Sequence, residues 1–257
     1  MESTIKVSIV TVCRNSEDTI GFAIESACKQ VYSNIEHIII DGGSIDNTVD
    51  IVNRYKSNVS KFISEKDQGI YDAMNKGIRF AKGEIIGFLN ADDVYASETV
   101  ISEIVAFMQK NCLEAVYGDL VYIDRQDSKK VVRYWKPGEY KIGAFYRGWV
   151  PPHPTFFCRK EVFEKFGYFN DSFQIAADFE LMLRFIEKHK IHVGYLPRVI
   201  VKMRTGGKAN VLRGIIRGNC EIVKSFRLNG LVISPWFFLC KPMEKIRQFF
   251  KLRVAWQ

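Results

Sequence analysis

The sequence lacks the features on which several large classes of protein depend. Its six cysteines include no C-x-x-C pair, which argues against a zinc site or a disulfide framework and suits a reducing cytoplasm. No apolar run is long enough to cross a bilayer, and no nucleic-acid-binding motif is present. The first residues lead into a predicted strand and do not resemble a signal peptide. We therefore expect a cytoplasmic protein with no nucleic acid among its partners.

Composition predicts an ordinary globular chain with an uneven distribution of charge. The 257 residues are 47% hydrophobic and 26% charged, which suits one sizeable α/β domain, alone or with a small appendage. The net charge is +8, yet residues 201–257 alone carry twelve Lys or Arg against two acids. Because these basic residues alternate with large apolar ones, the pattern predicts an anionic membrane surface as a partner of this end of the chain.

Short apolar runs alternate with segments of helical periodicity in the first part of the chain. Strands are predicted at 7–12, 35–40, 62–64 and 85–89, with helices between them. This alternation predicts a mostly parallel sheet with helices on both faces. Beyond residue 117 the pattern changes to a hairpin, then a helix and a last strand. These elements are predicted at 120–124 with 131–135, at 179–189 and at 199–203.

Polar side chains gather where the predicted strands and one helix meet loops. The four groups are Asp41; Glu65 with Asp67; Asn90 with Asp92 and Asp93; and Asp178 with Glu180. The adjacent carboxylates of Asp92 and Asp93 repel each other unless a cation joins them. Mg²⁺ or Mn²⁺ suits such oxygen ligands and usually binds substrate phosphates as well. The alternative, that this pair only caps the next helix, stays open at this stage.

Three segments resemble family 2 glycosyltransferases. The first strand reads VSIVTVCRN at 7–15, and DGGSIDNT at 41–48 is similar to the family's D-G-x-S-x-D-x-T turn. The segment SEKDQGIYDAMNKG at 64–77 resembles the bacterial polysaccharide and colanic-acid branch. The resemblance spans about residues 5–207. It implies the GT-A fold, a Rossmann-like α/β sheet, with a nucleotide-sugar donor, a divalent metal and inversion at the anomeric carbon.

The resemblance assigns roles on the donor side. Asp41 would recognise the base, expected to be uracil, and Asp67 would also approach the nucleotide. Asp92 matches the metal-binding acid of the D-x-D motif, and Asn90 stands where the family usually has the first Asp of that motif. Asp93 would be a second metal ligand or a group that supports the first.

Further roles concern the reaction itself. Asp178 matches the catalytic base, and its place at the start of a predicted helix favours an ionised acid. Glu180 is the rival for that role. Arg204, Gly206 and Gly207 belong to a basic, Gly-rich loop that would close over the diphosphate, with an ordinary turn as the alternative.

Other polar and aromatic residues allow two interpretations each. His153 would hold acceptor or diphosphate, or be a buried histidine bonded to backbone. Asp72 and Asn75 would line the donor pocket, or lie on an exposed helix face. Three aromatic residues would stack on acceptor sugars or fill the core. They are Trp135, Tyr146 and Trp149.

The last part of the chain predicts an amphipathic helical tail. We place the glycosyltransferase domain at 1–225, with a nucleotide-sugar-binding half at 1–118 and an acceptor half at 119–225, and the tail at 226–257. Five apolar residues share one helical face, a pattern typical of an interfacial anchor. They are Met243, Ile246, Phe249, Phe250 and Val254. The alternative is docking on the domain or on a second copy of the chain, as a homodimer.

These observations predict an inverting, metal-dependent hexosyl- or N-acetylhexosaminyltransferase on the inner face of the cell membrane. It would move a sugar from a UDP-sugar to a glycan acceptor, expected to be lipid-linked, in cell-surface polysaccharide biosynthesis. A sugar nucleotidyltransferase is the first alternative, although residues 13–16 lack its Gly-rich loop. A non-catalytic glycan-binding protein is the second.

Overall fold

A nine-stranded sheet runs through the computed structural model, which describes residues 4–206, 212–233 and 237. The strands are β1 (Val7–Cys13), β2 (Ile35–Asp41), β3 (Lys61–Ser64), β4 (Ile85–Phe88), β5 (Asp93–Tyr95), β6 (Ala115–Ile123), β7 (Val131–Trp135), β8 (Phe157–Arg159) and β9 (Val193–Arg204). The helices are α1 (Ile20–Cys28), α2 (Thr48–Arg54), α3 (Ile70–Phe80), α4 (Val100–Lys110), α5 (Lys160–Phe166), α6 (Ala177–Met182) and α7 (Leu212–Leu228). A π-helical stretch, Leu183–Lys188, continues α6.

The first half of the sheet is parallel, in the order β3-β2-β1-β4. Strands β1 and β4 are buried along their whole length, as expected for parallel strands covered on both faces. The register pairs Cys13 with Asp41 and Asp41 with Ser64. The polar groups that follow these strands therefore meet at one edge of the sheet.

The second half of the sheet is mixed. Strand β8 runs antiparallel to both β4 and β6, while β9 runs parallel to β6. Strand β5 is antiparallel to β9 and places Asp93 opposite Met203. This pairing brings the acidic turn after β4 next to the end of β9. The sheet, predicted as mostly parallel, is thus wholly parallel over its first half and mixed over its second.

Helices cover both faces of the sheet, as predicted. Val10 and Val12 of β1 belong to a core shared with α3, α5 and α6. Val7 and Ile9, which alternate with them, belong to a second core shared with α1 and α4. The polar groups at the ends of these strands are therefore held by strands that are packed on both faces.

Helix α7 packs against α6 and runs past residue 225, and the domain boundary predicted there stays a prediction. Phe226 has no exposed surface and contacts Phe179 at a ring-centroid distance of 6.0 Å. Phe237 is equally buried, 6.3 Å from Phe179 and 5.9 Å from Phe226. The predicted amphipathic segment at 243–254 lies outside the described residues. No helix in the described ranges has the length and apolar character needed to cross a membrane.

Candidate functional site

The carboxylate of Asp41 organises the turn that follows β2. Asp41 has no exposed surface. Its Oδ2 accepts hydrogen bonds from the Ser44 N–H at 3.0 Å and the Ser64 hydroxyl at 2.7 Å, and its Oδ1 accepts one from the Ser44 hydroxyl. The Cys13 thiol approaches Oδ1 at 3.7 Å, and burial, helped by Asp41, raises the pKa of that thiol. The contact predicted between Asp41 and a base stays a prediction, and this arrangement does not leave the carboxylate open to a base.

Asp67 is the more open of the two acids predicted on the nucleotide side. It is half-buried, and its Oδ1 accepts a hydrogen bond from the Gly69 N–H at 3.0 Å. Its Oδ2 lies directly over Gly42, where any Cβ would overlap that oxygen. The glycine after Asp41 therefore creates the space that the Asp67 carboxylate occupies.

The turn after β4 is held together by Asn90 and Asp93. The Asn90 side-chain amide donates to Oδ2 of Asp93 at 2.8 Å, and the Asp93 N–H bonds the Asn90 carbonyl at 3.0 Å. Asp93 has no exposed surface. Burial, followed by the charge of Asp92, raises the pKa of Asp93 well above its ordinary value. A direct metal contact by Asp93 stays a prediction, because the turn holds this carboxylate inside the protein.

Asp92 is the acid of this turn that reaches solvent. It is half-buried, and burial raises its pKa, against the opposing charges of Arg204 and Arg125. Within the described parts of the chain, no other residue donates a hydrogen bond to its carboxylate. A carboxylate that is partly desolvated and accepts from no other residue fits a hard divalent cation, and Mg²⁺ needs only one or two carboxylates when phosphates complete its shell. The donor set is therefore compatible with the predicted Mg²⁺ or Mn²⁺.

Two arginines face Asp92, and the sequence indicated only one of them. Arg204 is the last residue of β9, and its guanidinium carbon lies 5.1 Å from the centre of the Phe22 ring. Arg125 is exposed just after β6, and its Nη1 lies 3.6 Å from where a Cβ on Gly206 would stand. Gly206 has a φ of 116°, which suits glycine. Gly207, the third residue predicted in this loop, lies outside the described residues.

Asp178 stands near the start of α6 with a half-buried carboxylate. Its Oδ1 accepts a hydrogen bond from the Phe179 N–H at 2.8 Å, and the Tyr71 hydroxyl lies 3.4 Å from the same oxygen. Burial, followed by the charge of Asp178, raises the pKa of Tyr71, so this hydroxyl stays protonated at neutral pH. The second oxygen, Oδ2, accepts no hydrogen bond within the described ranges.

Glu180, the alternative candidate for the base, is paired with other side chains. It is 3% exposed and forms a two-point ion pair with Arg184, at 2.9 Å to Nε and 3.1 Å to Nη2. The side-chain amide of Asn229 also donates to Glu180, at 3.0 Å. Of the two acids, Asp178 therefore keeps an oxygen that is not already paired within the described residues, and the role of base stays a prediction.

His153 lies between the two halves of the site, against Phe88 and Phe169, at ring-centroid distances of 5.3 and 5.6 Å. Its Nε2 is buried and has no hydrogen-bond partner in the part of the chain described. Burial lowers its pKa, although the charge of Asp178 opposes this, so the ring is neutral at pH 7. A contact with acceptor or diphosphate stays a prediction.

The aromatic residues suggested for sugar stacking serve mainly as core. The Trp149 indole N–H donates to the Pro137 carbonyl at 2.9 Å, and its ring packs edge-on against Phe145 at 5.3 Å. Tyr146 packs against Phe226 at 5.4 Å, and Trp135 packs against the second core.

Similar proteins point to one family. The model for glycosyl transferase family 2 matches residues 8–167. An uncharacterized glycosyltransferase of Mycobacterium tuberculosis is 33% identical over 191 residues, covering 72% of this chain and 70% of the relative. The Escherichia coli UDP-Glc:alpha-D-GlcNAc-diphosphoundecaprenol beta-1,3-glucosyltransferase WfaP is 30% identical over 247 residues, covering 88% of this chain and 94% of WfaP.

Solved structures share the fold. Staphylococcus aureus TarS 1–349 in complex with UDP superposes with a TM-score of 0.67 at 15% identity, covering 98% of this chain and 73% of that one. Mannosyltransferase PcManGT from Pyrobaculum calidifontis, in complex with GDP-Man and Mn²⁺, gives 0.66 at 19% identity, covering 99% and 71%. These likenesses confirm the predicted GT-A fold. The chain belongs to glycosyl transferase family 2 and is a glycosyltransferase.

Proposed function

We propose that this glycosyltransferase moves one hexosyl or N-acetylhexosaminyl group from a UDP-sugar to a lipid-linked glycan, with inversion at the anomeric carbon. The observation that carries the proposal is the contrast between two neighbouring acids. Asp178 has a half-buried carboxylate with an oxygen free to accept, whereas Glu180 is buried and paired with Arg184. One acid at the site is thus available to take a proton and the other is not.

The reaction follows from that arrangement. The acceptor hydroxyl attacks the anomeric carbon while the bond from that carbon to the diphosphate oxygen breaks on the opposite face. Asp178 accepts the hydroxyl proton as the new glycosidic bond forms. The Tyr71 hydroxyl, which donates to the Ile175 carbonyl and lies 3.4 Å from Oδ1 of Asp178, stays protonated because of its raised pKa and does not compete for the proton.

The donor would bind where the polar groups meet, at the carboxyl ends of the parallel strands. Asp67 and the turn that Asp41 organises would face the nucleoside, and Arg204 and Arg125 would face the diphosphate. Asp92 would hold the divalent metal, supported from behind by the Asn90–Asp93 pair. Such a metal neutralises the charge that builds on the departing diphosphate.

The acceptor and the membrane association are inferred from charge and from a relative. WfaP, by its name, acts on a diphosphoundecaprenol-linked sugar. Its similarity covers 88% of the present chain. An acceptor of that kind is presented at a membrane surface. The excess of basic residues after position 200 suits the cytoplasmic face of the cell membrane, where anionic lipids attract Lys and Arg at about 1 kcal/mol each.

Removing residues 241–257 tests the membrane proposal while keeping every residue of the described core. This deletion keeps Phe237, which is buried against Phe179 and Phe226. The truncated protein should no longer float with anionic liposomes, and the full chain should float with them. Flotation of the truncated protein would refute the tail as the anchor. A change in oligomeric state, with no change in flotation, would instead support contact of the tail with a second copy.

A screen of nucleotide-sugar donors tests the reaction class. With Mn²⁺ and a lipid-diphosphate-linked sugar as acceptor, we expect release of UDP and a product one sugar longer. Release of inorganic pyrophosphate from a sugar phosphate and a nucleoside triphosphate would instead indicate a nucleotidyltransferase. Tight glycan binding with no turnover of any donor would indicate a non-catalytic protein.

A further inference from the structure

Helix α7 contacts the segment that leads into Asp178. The Glu221 carboxylate accepts three backbone hydrogen bonds, from Gln174 at 3.0 Å and from Ile175 and Ala176 at 2.9 Å each. Ala176 directly precedes α6, so Asp178 lies two residues beyond the last of these bonds. Glu221 lies outside residues 8–167, which the family model matches.

The same segment is held from the opposite side by α3. The Tyr71 hydroxyl donates to the Ile175 carbonyl at 2.8 Å and lies 3.4 Å from Oδ1 of Asp178. The N–H of Ile175 is held by Glu221 and its C=O by Tyr71. The peptide groups on both sides of Ile175 are therefore fixed by two helices that are far apart in sequence.

We infer that Glu221 is a positioning residue for Asp178, an inference that rests on the proposed role of Asp178 as the base. A carboxylate that accepts from three N–H groups makes charge-assisted bonds, which are stronger than neutral ones. Without it, three backbone donors at this turn lose their partner, and the segment carrying Asp178 is free to shift. A misplacement of about 1 Å can cost about 10²-fold in rate.

The consequence is confined to the catalytic step. The donor side is built from the ends of β1, β2, β3, β4, β6 and β9, and no residue of these strands donates a hydrogen bond to Glu221. Loss of Glu221 should therefore lower kcat and leave the affinity for the donor nearly unchanged.

The test compares three variants of the full chain. Glu221→Ala should lower kcat by about 10²-fold. Glu221→Gln, whose amide oxygen still accepts from part of the segment, should fall between Ala and wild type. Glu161→Gln makes the same charge change on the exposed surface of α5 and should behave as wild type. Calorimetry of UDP with Mn²⁺ should give the same Kd for all of them.

A double-mutant cycle separates this inference from the proposed function. In an Asp178→Asn background, adding Glu221→Gln should cost no further activity, because the group that Glu221 positions is already lost. Additive losses, or wild-type kcat in Glu221→Ala, would overturn the positioning role. If Glu221→Ala does not fold, the Gln variant decides, since wild-type kcat in it would count against the inference. Wild-type turnover in Asp178→Asn would instead refute the proposed base, whatever Glu221 does.

Discussion

The side chain of Asn75 bonds both backbone groups of Phe169, donating to the carbonyl at 2.9 Å and accepting from the N–H at 3.0 Å. Asn75 lies on α3, one turn after Tyr71, which reaches Ile175 and Asp178. Helix α3 therefore joins the donor half of the sheet to the segment that carries the proposed base. We therefore expect substitutions around Asp178 to separate into two kinds. Some should lower the free energy of unfolding, and others should lower turnover.

Glu180 should matter for folding more than for chemistry. Glu180→Ala takes the carboxylate partner from the half-buried guanidinium of Arg184, which keeps its hydrogen bonds to three backbone carbonyls, so we expect a loss of about 1.5–3 kcal/mol. Denaturant unfolding should show this loss, while the folded fraction retains substantial turnover. The matched change at the other acid, Asp178→Ala, should cost little stability. A Glu180→Ala protein of wild-type stability that is catalytically dead would reverse the two roles.

Gly42→Ala should weaken binding of the donor with little effect on stability. The new methyl group would overlap Oδ2 of Asp67, and that side chain can swing away towards solvent. The control is Gly21→Ala in α1, where the nearest atoms to the new Cβ are 3.7 Å away. Calorimetry of UDP should show a raised Kd for Gly42→Ala alone. An unchanged Kd would mean that Asp67 does not contact the nucleotide.

Binding of UDP should depend on a divalent metal held by Asp92. Chelation should weaken binding to the wild-type protein, and Asp92→Ala should remove most of the metal-dependent part, at least about tenfold. The Asn90→Asp variant restores the family's usual acid and should retain metal dependence. Equal UDP affinity with Mn²⁺ and with chelator would contradict the metal assignment.

The stability of the fold should fall between pH 7 and pH 5 because of His37. Burial lowers the pKa of His37 to about 4 from an ordinary value of 6.5. The unfolded chain therefore binds this proton at a higher pH than the folded one, so stability is complete above about pH 6.5 and declines as the pH falls towards 4. The loss between pH 7 and pH 5 should be roughly 2 kcal/mol.

A His37→Gln variant provides the comparison. Its free energy of unfolding should change less between pH 7 and pH 5 than that of the wild type, even if its stability at pH 7 is lower. An identical pH dependence in the two proteins would show that other groups account for the acid sensitivity.

Much of the donor half was predictable because its signals are local. Long buried strands such as β1 and β2 show apolar runs, and the acids that follow them stand out in sequence. Strands β5 and β8, with three residues each, are too short to show a period, and their pairing with β9 and β4 depends on distant residues. These two short strands were therefore missed, whereas the hairpin of β6 with β7 and the last strand, β9, were predicted.

In the site, too, local signals were predictable and contacts between distant residues were not. Asn75 was expected either in the donor pocket or on an exposed face; the exposed face was wrong, because Asn75 is 4% exposed and bonds Phe169, 94 residues away, and the donor-pocket role stays a prediction. Arg125 and Glu221 were missed for a similar reason. Their partners, Asp92 and the 174–176 segment, are brought near only by the fold. Sequence identified the acids, while the groups that orient them required tertiary structure.

The most direct test of the account is Asp178→Asn, assayed for transfer and for binding of UDP with Mn²⁺ in the same preparation. The account predicts that kcat falls by about 10²–10⁴-fold, because only the transition state uses the base. The Kd for UDP should match that of the wild type. Wild-type turnover in this variant, above all if Glu180→Gln is inactive while folded, would contradict the central claim that Asp178 takes the acceptor's proton.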